Sequence, residues 1–345
     1  MSIMLKPSAV AFFIAISALE AHASTLTVVS LGGLNKQAQQ AAFYTPFEQA
    51  HGTSVRSDDY NGELGRIKAM VATGSISWDL VEVDHADLQR GCEEGLFEPL
   101  PPLQQLNTED LIDDAISECG VGIFIWSTAL TYDAKALATA PKGWADFWDL
   151  DAFPGKRALR KGAKLTLEIA LMADGVPSEQ VYEVLSNPQG VERAFRKLDQ
   201  IKPHIQWWET GAQPLQWLAS RDVVMTSGYT ARAIGARKDG YDFPVIWAGS
   251  LYDMDNWAIV KGSRNQTAAL QFMQFTGQPD QQARFAEIMH NGPVNLRALD
   301  MVSPATRADF PTAPENIAPA LKVDAQFWLD HGEELEQRFI AWSAK

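Results

Sequence analysis

Residues 26–51, LTVVSLGGLNKQAQQAAFYTPFEQAH, pass from a strand pattern to a helix pattern. Leu26–Ser30 is a short, β-branched apolar run of the kind that forms a buried strand. Gly32 and Gly33 punctuate it. Asn35 then stands in N-cap position, and Ala42, Phe43, Phe47 and Ala50 share one face of a helix running towards His51. The unit repeats: Val55 opens a second strand, Glu63–Ala72 has helical spacing, and Asp79–Val83 reads as a third strand. Asp84 follows as the cap of a helix that ends near Gly95. Strand–helix units in succession imply a parallel, doubly wound sheet.

Downstream, Pro99–Cys119 is rich in Pro and acid and is expected to wrap the first lobe. Gly122–Tyr132 is a long apolar strand suited to crossing between lobes. A second series follows, with helices over Leu165–Ala173, Ser178–Leu185 and Gly190–Ile201 and a strand at Val223–Ser227 leading into a helix at Thr230–Lys238. Strands at Pro244–Ala248 and Asp255–Val260 return the chain to the first lobe. Helices at Asn265–Thr276, Pro279–Ile288 and Asp324–Trp342 complete it. The expected fold is α/β, with two lobes that are each a mostly parallel sheet flanked by helices. The expected division is 24–128 with 256–300, and 129–255 with 301–345. Lobes joined by crossing strands, without a flexible linker, suit hinge closure around a cleft.

The 345 residues carry 29 Lys+Arg against 43 Asp+Glu, a net charge of −14, which argues against nucleic acid and anionic membrane as partners. Ala9–Leu19 is an 11-residue apolar run followed by Ala21-His22-Ala23. It has the form of an export signal, cleaved after Ala23, and is too short to span about 30 Å of hydrocarbon. Segment 1–23 holds Lys6 and Glu20, so removing it leaves the net charge at −14. Export to an oxidising compartment favours pairing Cys92 with Cys119, the two cysteines of the sequence. The competing reading is a catalytic thiol, but none of the six His sits in a nucleophile motif.

No dinucleotide fingerprint, phosphate loop, nucleophile elbow or His-Glu-x-x-His pair occurs, and no spacing suggests a metal site or a cofactor. Three clusters qualify as ligand sites. In Tyr252-Asp253-Met254-Asp255-Asn256-Trp257, a strand would turn both carboxylates to one face and Tyr252 to the other. Such a pair suits an alkylammonium, with a ring adding cation–π attraction; a solvated loop or hinge turn is the alternative. Thr226–Arg232 joins a strand end to a helix start, where free N–H groups could take an anion and Arg232 grip a carboxylate, or where Ser227 or Thr230 simply caps. Trp207 and Trp208 cannot both face inward from a strand, so one of them, Trp208, is a candidate for lining the cleft. Asp84, at a strand's carboxyl end, stands where such sheets place ligand groups, in competition with its capping role.

The stretches DYNGELGRIKAMV, WDLVEVDHADLQRGCEEGLFEPL, ECGVGIFIWSTALTYD, GWADFWDLDAFPGKRALRKG, YDMDNWAIVKG and FWLDHGEELEQRF resemble periplasmic solute-binding proteins of the spermidine/putrescine type (extracellular solute-binding family 1). The resemblance extends from about Thr25 to Trp342. It implies a type II-like periplasmic-binding-protein fold, a monomer, and a receptor that hands its ligand to an ABC transporter permease without covalent chemistry. Asp255 then falls where polyamine-binding relatives place an amine-binding carboxylate, Asp253 where they carry a Trp, Asp84 at the ligand loop, and Ser227 and Tyr229 in the stretch where relatives present another aromatic to the cleft. Two departures stand out: Leu31-Gly32-Gly33-Leu34 replaces a sandwiching Trp and Tyr, and Lys161, Gly162 and Lys164 replace acids before the Leu165–Ala173 helix. Relatives that bind γ-aminobutyrate use an Arg for the carboxylate and an Asp for the amine, a task Arg232 and Asp255 suit. The expected ligand is a small amine such as putrescine or spermidine, with an ω-amino acid as the alternative. An exported hydrolase using Asp253 and Asp255 is the rival from another class, separated from a receptor by turnover.

Overall fold

The computed structural model describes residues 25–102 and 110–345; the expected export segment, 1–23, lies outside them. Ten strands among these residues build one sheet: β1 (Thr25–Ser30), β2 (Ser54–Asp59), β3 (Leu80–Asp84), β4 (Gly120–Tyr132), β5 (Arg157–Arg160), β6 (Ile205–Trp208), β7 (Met225–Tyr229), β8 (Val245–Ile259), β9 (Gly292–Pro293) and β10 (Leu321–Lys322). Their order is β2-β1-β3-β8-β4-β7-β5-β6, with β9 beside β4 and β10 beside β8. The outer trios are parallel, as strand–helix units require. From β3 to β7 the order is antiparallel, because β4 and β8 are the two crossing strands and run against each other and against β3 and β7, while β10 joins β8 in parallel.

Each end of the sheet carries its own core. In the first half, Leu26, Val28 and Leu80 face Phe43, Phe47, Phe272 and Phe285, while Val29 and Val81 turn to the other side and pack with Trp78, Leu88 and Phe97. Two-sided burial explains why β1 reads as a continuous apolar run rather than an alternating one. In the second half, Leu159, Leu167, Leu171, Leu198, Trp328 and Phe339 form the core. The Pro188–Ile201 helix buries Val191, Ala194, Phe195, Leu198 and Ile201, spaced at three or four residues. Gly190 permits its approach, since a Cβ there would lie 1.8 Å from the Val184 carbonyl oxygen. Val302 and Phe310 pack with Ala283 and Ala286 of the first half. None of the described helices is long and apolar enough to cross a membrane.

Two local expectations change. Gly32, at φ 74°, turns the chain straight into a helix over Gly33–Gln39, so Asn35 lies inside that helix and does not cap it. The strands expected at Pro244–Ala248 and Asp255–Val260 are one strand, β8, and its buried run includes Asp253 and Asp255, which rules out the solvated loop. Gly249, at φ 71°, lets this strand bend beneath Trp144, whose indole donates to the Gly249 carbonyl at 2.7 Å. The Asp84 cap forms as expected, accepting from the Asp87 N–H at 2.8 Å.

Cys92 and Cys119 form a disulfide that ties the His85–Glu93 helix to the start of β4 across 27 residues. A loop of that length is worth about 3–4 kcal/mol in the chain-entropy picture. Replacing both cysteines by Ser should lower the unfolding free energy by about that amount, read from urea denaturation with and without the bridge.

In the second core, Glu168 is fully buried. One of its carboxyl oxygens accepts from the Tyr182 hydroxyl at 2.9 Å and the Trp328 indole at 2.8 Å; the other has no partner among the described residues. Burial pushes its pKa up to about 7. A carboxyl raised in the fold stabilises most below its unfolded value and loses that contribution as pH climbs through about 7. Between pH 5 and 8, Glu168→Gln should therefore gain about 2–3 kcal/mol relative to the unsubstituted protein, measured by denaturation at both pH values.

Candidate ligand-binding site

The antiparallel pairing of β3 with β8 places Asp84 opposite Asp255 and Glu82 opposite Trp257. Side chains two residues apart on a strand share a face. Glu82 and Asp84 from β3 therefore meet Asp253 and Asp255 from β8. On the far side of β8, Trp126 of β4 lies opposite Asp253, and its indole donates to Asp255 at 3.1 Å. The Trp126 ring meets Tyr229 of β7 edge-on at 5.8 Å, and Tyr229 meets Trp208 of β6 at 5.9 Å. A ribbon of acids and then aromatics thus runs across the middle of the sheet.

The acids are deeply placed: Glu82 is 0% exposed, Asp253 3% and Asp255 4%. Glu82 accepts from the Asn35 amide at both oxygens and from Gln39, each at 2.8 Å, and the Tyr60 hydroxyl donates to its backbone carbonyl. Burial raises Glu82 above the ordinary carboxylate range, and its three side-chain N–H bonds oppose that rise only in part. Burial, together with the neighbouring Glu82 charge, raises Asp255 well above the carboxylate range, so Asp255 holds the proton and donates to Glu82. Lys164 satisfies the other two acids. Its ammonium lies 3.4 Å from Asp84 and 3.4 Å from Asp253. Burial alone would lower the lysine, but the two carboxylates hold it above its ordinary range. Burial pushes Asp253 up to about 6, whereas for Asp84 the Lys164 charge and the Asp87 N–H outweigh burial and hold it low.

The turn after β5 positions Lys164. Leu165, buried, adopts φ 75°, a left-handed conformation that is strained for a leucine. The Ala163 N–H donates to Glu336 at 2.8 Å, and the Thr166 hydroxyl to the Arg160 carbonyl at 2.9 Å. The lysine springs from the second half of the molecule, between Ala163 and Leu165 of its core, while Asp84 follows Val83 of the first core. The ion pair joins the two halves.

Beyond Tyr229, the chain turns into the Thr230–Gly235 helix. A Cβ on Gly211 would lie 3.0 Å from the Tyr229 ring and 3.2 Å from Arg232 Nε, so the bare glycine backbone leaves space for both. Arg232 is exposed, and among the described residues no carboxylate lies within 4.0 Å of it. The ribbon therefore has an acidic end and an end beside an unpaired guanidinium.

Of the residues singled out in the sequence, Asp84, Asp253 and Asp255 converge at one end, and Tyr229 and Arg232 stand together at the other. Ser227 and Trp208 are buried and bonded to each other, the Trp208 indole donating to the Ser227 hydroxyl at 3.1 Å. They support Tyr229 from below. Trp207 goes to the opposite side, against Phe339 and Trp342. Tyr252 also faces away from the acids, among Leu111, Ile112 and Ile125. Sequence reasoning missed Glu82, Trp126, Asn35 and Lys164. The sequence does signal Glu82, an acid two residues before Asp84 inside a valine-rich buried strand. No three His, Cys, Asp or Glu side chains among the described residues assemble as a metal site.

The model of the family described as bacterial extracellular solute-binding protein matches residues 42–313. A gamma-aminobutyric acid-binding protein of Pseudomonas aeruginosa is 51% identical over 329 residues, 95% of this chain and 94% of that protein. A putrescine-binding periplasmic protein from the same species is 22% identical over 288 residues, 76% of this chain and 77% of that one. The solved structure of a GABA receptor superposes with a TM-score of 0.85 at 30% identity, covering 93% of this chain and 98% of that one. The two-lobed architecture and the match along most of the chain agree: this chain belongs to the bacterial extracellular solute-binding proteins.

Proposed function

We propose that this protein is the periplasmic receptor of an ABC importer and that its ligand is a small ω-amino acid, γ-aminobutyrate in the first instance. The observation that carries the reading is the polarity of the ribbon: buried carboxylates at one end and an Arg without an acid partner at the other. A zwitterion with a flexible methylene spacer complements both ends, its ammonium at Asp255 and its carboxylate on the Arg232 fork. Trp126 and Tyr229 offer apolar ring surface to the spacer. The 51% identity to a gamma-aminobutyric acid-binding protein supports the same choice.

The diamine or polyamine expected from the sequence is less well supported. Arg232 would repel a second ammonium, and Lys164 already takes up two of the four acids. The arrangement needs no turnover; the carboxyls serve as counter-charges, and β4 with β8 provides the crossing about which lobes at 24–128 with 256–300 and at 129–255 with 301–345 would close. Cleavage after Ala23 would release the receptor into the periplasm, where a permease would accept the closed form.

Isothermal titration of the mature protein tests this. The protein should bind γ-aminobutyrate at one site and release it unchanged, and Arg232→Ala should weaken that binding by roughly a hundredfold through loss of a charge-assisted pair. Full affinity in the Arg232 variant, or conversion of the ligand to any product, would overturn the reading. Because an incoming ammonium favours ionised Asp255, the proton held there should leave on binding. Measured across buffers of different ionisation enthalpy, proton release should disappear in Asp255→Asn.

A further inference from the structure

We propose that Lys164 restricts the cleft to a single amine, by filling from within the protein the place a second ammonium would take. The proposal builds on the ω-amino acid reading only for what occupies the carboxylate left over. Two pairs of acids line the acidic end, Asp255 with Glu82 and Asp84 with Asp253. Each is competent to hold one cationic nitrogen. The Lys164 ammonium sits between the second pair at 3.4 Å from each carboxylate, with its side chain only 20% exposed. Among the described residues, no other cation lies within 4.0 Å of any of the four acids.

This placement is built in. The left-handed backbone at Leu165, the Ala163 bond to Glu336 and the Thr166 bond to Arg160 fix the turn from which the side chain springs. A diamine entering the cleft would set one nitrogen at Asp255 and meet a fixed positive charge where its second nitrogen belongs. γ-Aminobutyrate has the same four-carbon chain but a single ammonium; its carboxylate is directed to Arg232, so nothing in it competes with Lys164 for Asp84 and Asp253. A resident cation thus discriminates by repulsion, which removes the wrong ligand without weakening contacts to the right one.

Titrations of γ-aminobutyrate and butane-1,4-diamine into the mature protein, Lys164→Met and Lys164→Arg test the idea. Lys164→Met should raise diamine affinity relative to γ-aminobutyrate by about tenfold or more, and Lys164→Arg, which keeps the charge, should leave the ratio within about threefold. An unchanged ratio in folded Lys164→Met, or the same shift in Lys164→Arg, would overturn the proposal. Should two uncompensated carboxylates prevent Lys164→Met from folding, Lys164→Met/Asp84→Asn removes the repulsion between them and is read in its place. If γ-aminobutyrate fails to bind the unsubstituted protein while Lys164→Met still gains diamine, the ω-amino acid reading falls and the role of Lys164 stands.

Discussion

Four carboxyl groups on two adjacent buried strands cannot all stay charged away from water. Glu82, Asp84, Asp253 and Asp255 are brought to one face by the β3–β8 register, and the rest of the site answers that constraint. Asp255 keeps a proton and shares it with Glu82, which burial also raises while the Asn35 and Gln39 amides favour its charge. Asp84 takes a backbone N–H at the head of a helix and shares Lys164 with Asp253. A cluster arranged this way answers its charges from within the protein, and in the proposed function a positive group near Asp255 would remove the reason for its proton. The relation between burial, protonation and ligand charge is therefore one relation seen from three sides.

The same strands make the cleft mechanical. β4 and β8 pass through both halves, and the two cores lie at opposite ends of the sheet. Between them lie polar contacts, the Lys164 ion pair, the Lys322–Asp114 pair at 2.5 Å and the Gln89–Gln326 hydrogen bond, beside the Trp126 ring, which packs against both cores. Polar contacts exchange readily with water, whereas the apolar cores do not rearrange, so the halves are suited to move as bodies about the crossing strands.

Much of this was legible in the chain. The strand–helix alternation from Leu26 to Gly95, the length of Gly122–Tyr132 and the two-residue spacing of Asp253 and Asp255 are local patterns with direct geometric meaning. Other features depend on partners remote in sequence. Lys164 reaches acids 80 and 89 residues away, so nothing near it declares its role. Trp126 is hidden in an apolar strand because its half-buried ring packs against core on either side, and neither its indole bond to Asp255 nor its contact with Tyr229 has a local signature. Asn35 has the residue type of a cap, but the two glycines before it start the helix earlier and free its amide for Glu82. The continuity of β8 was masked by Gly249, which reads as a break until Trp144 is seen above it. Tyr252 was drawn into the candidate set by adjacency, although strand alternation already turns it away from the acids.

The central claim is that one ligand spans the ribbon with its ammonium at the acids and its carboxylate at Arg232. The most direct measurement is a crystal structure of the mature protein with γ-aminobutyrate bound. The account predicts the ligand lying along Trp126 and Tyr229, its nitrogen about 3 Å from an Asp255 carboxyl oxygen and its carboxylate on the Arg232 guanidinium, with Lys164 still between Asp84 and Asp253. A ligand in the reverse orientation, one seated away from the ribbon, or one that displaces Lys164 from both acids would contradict it.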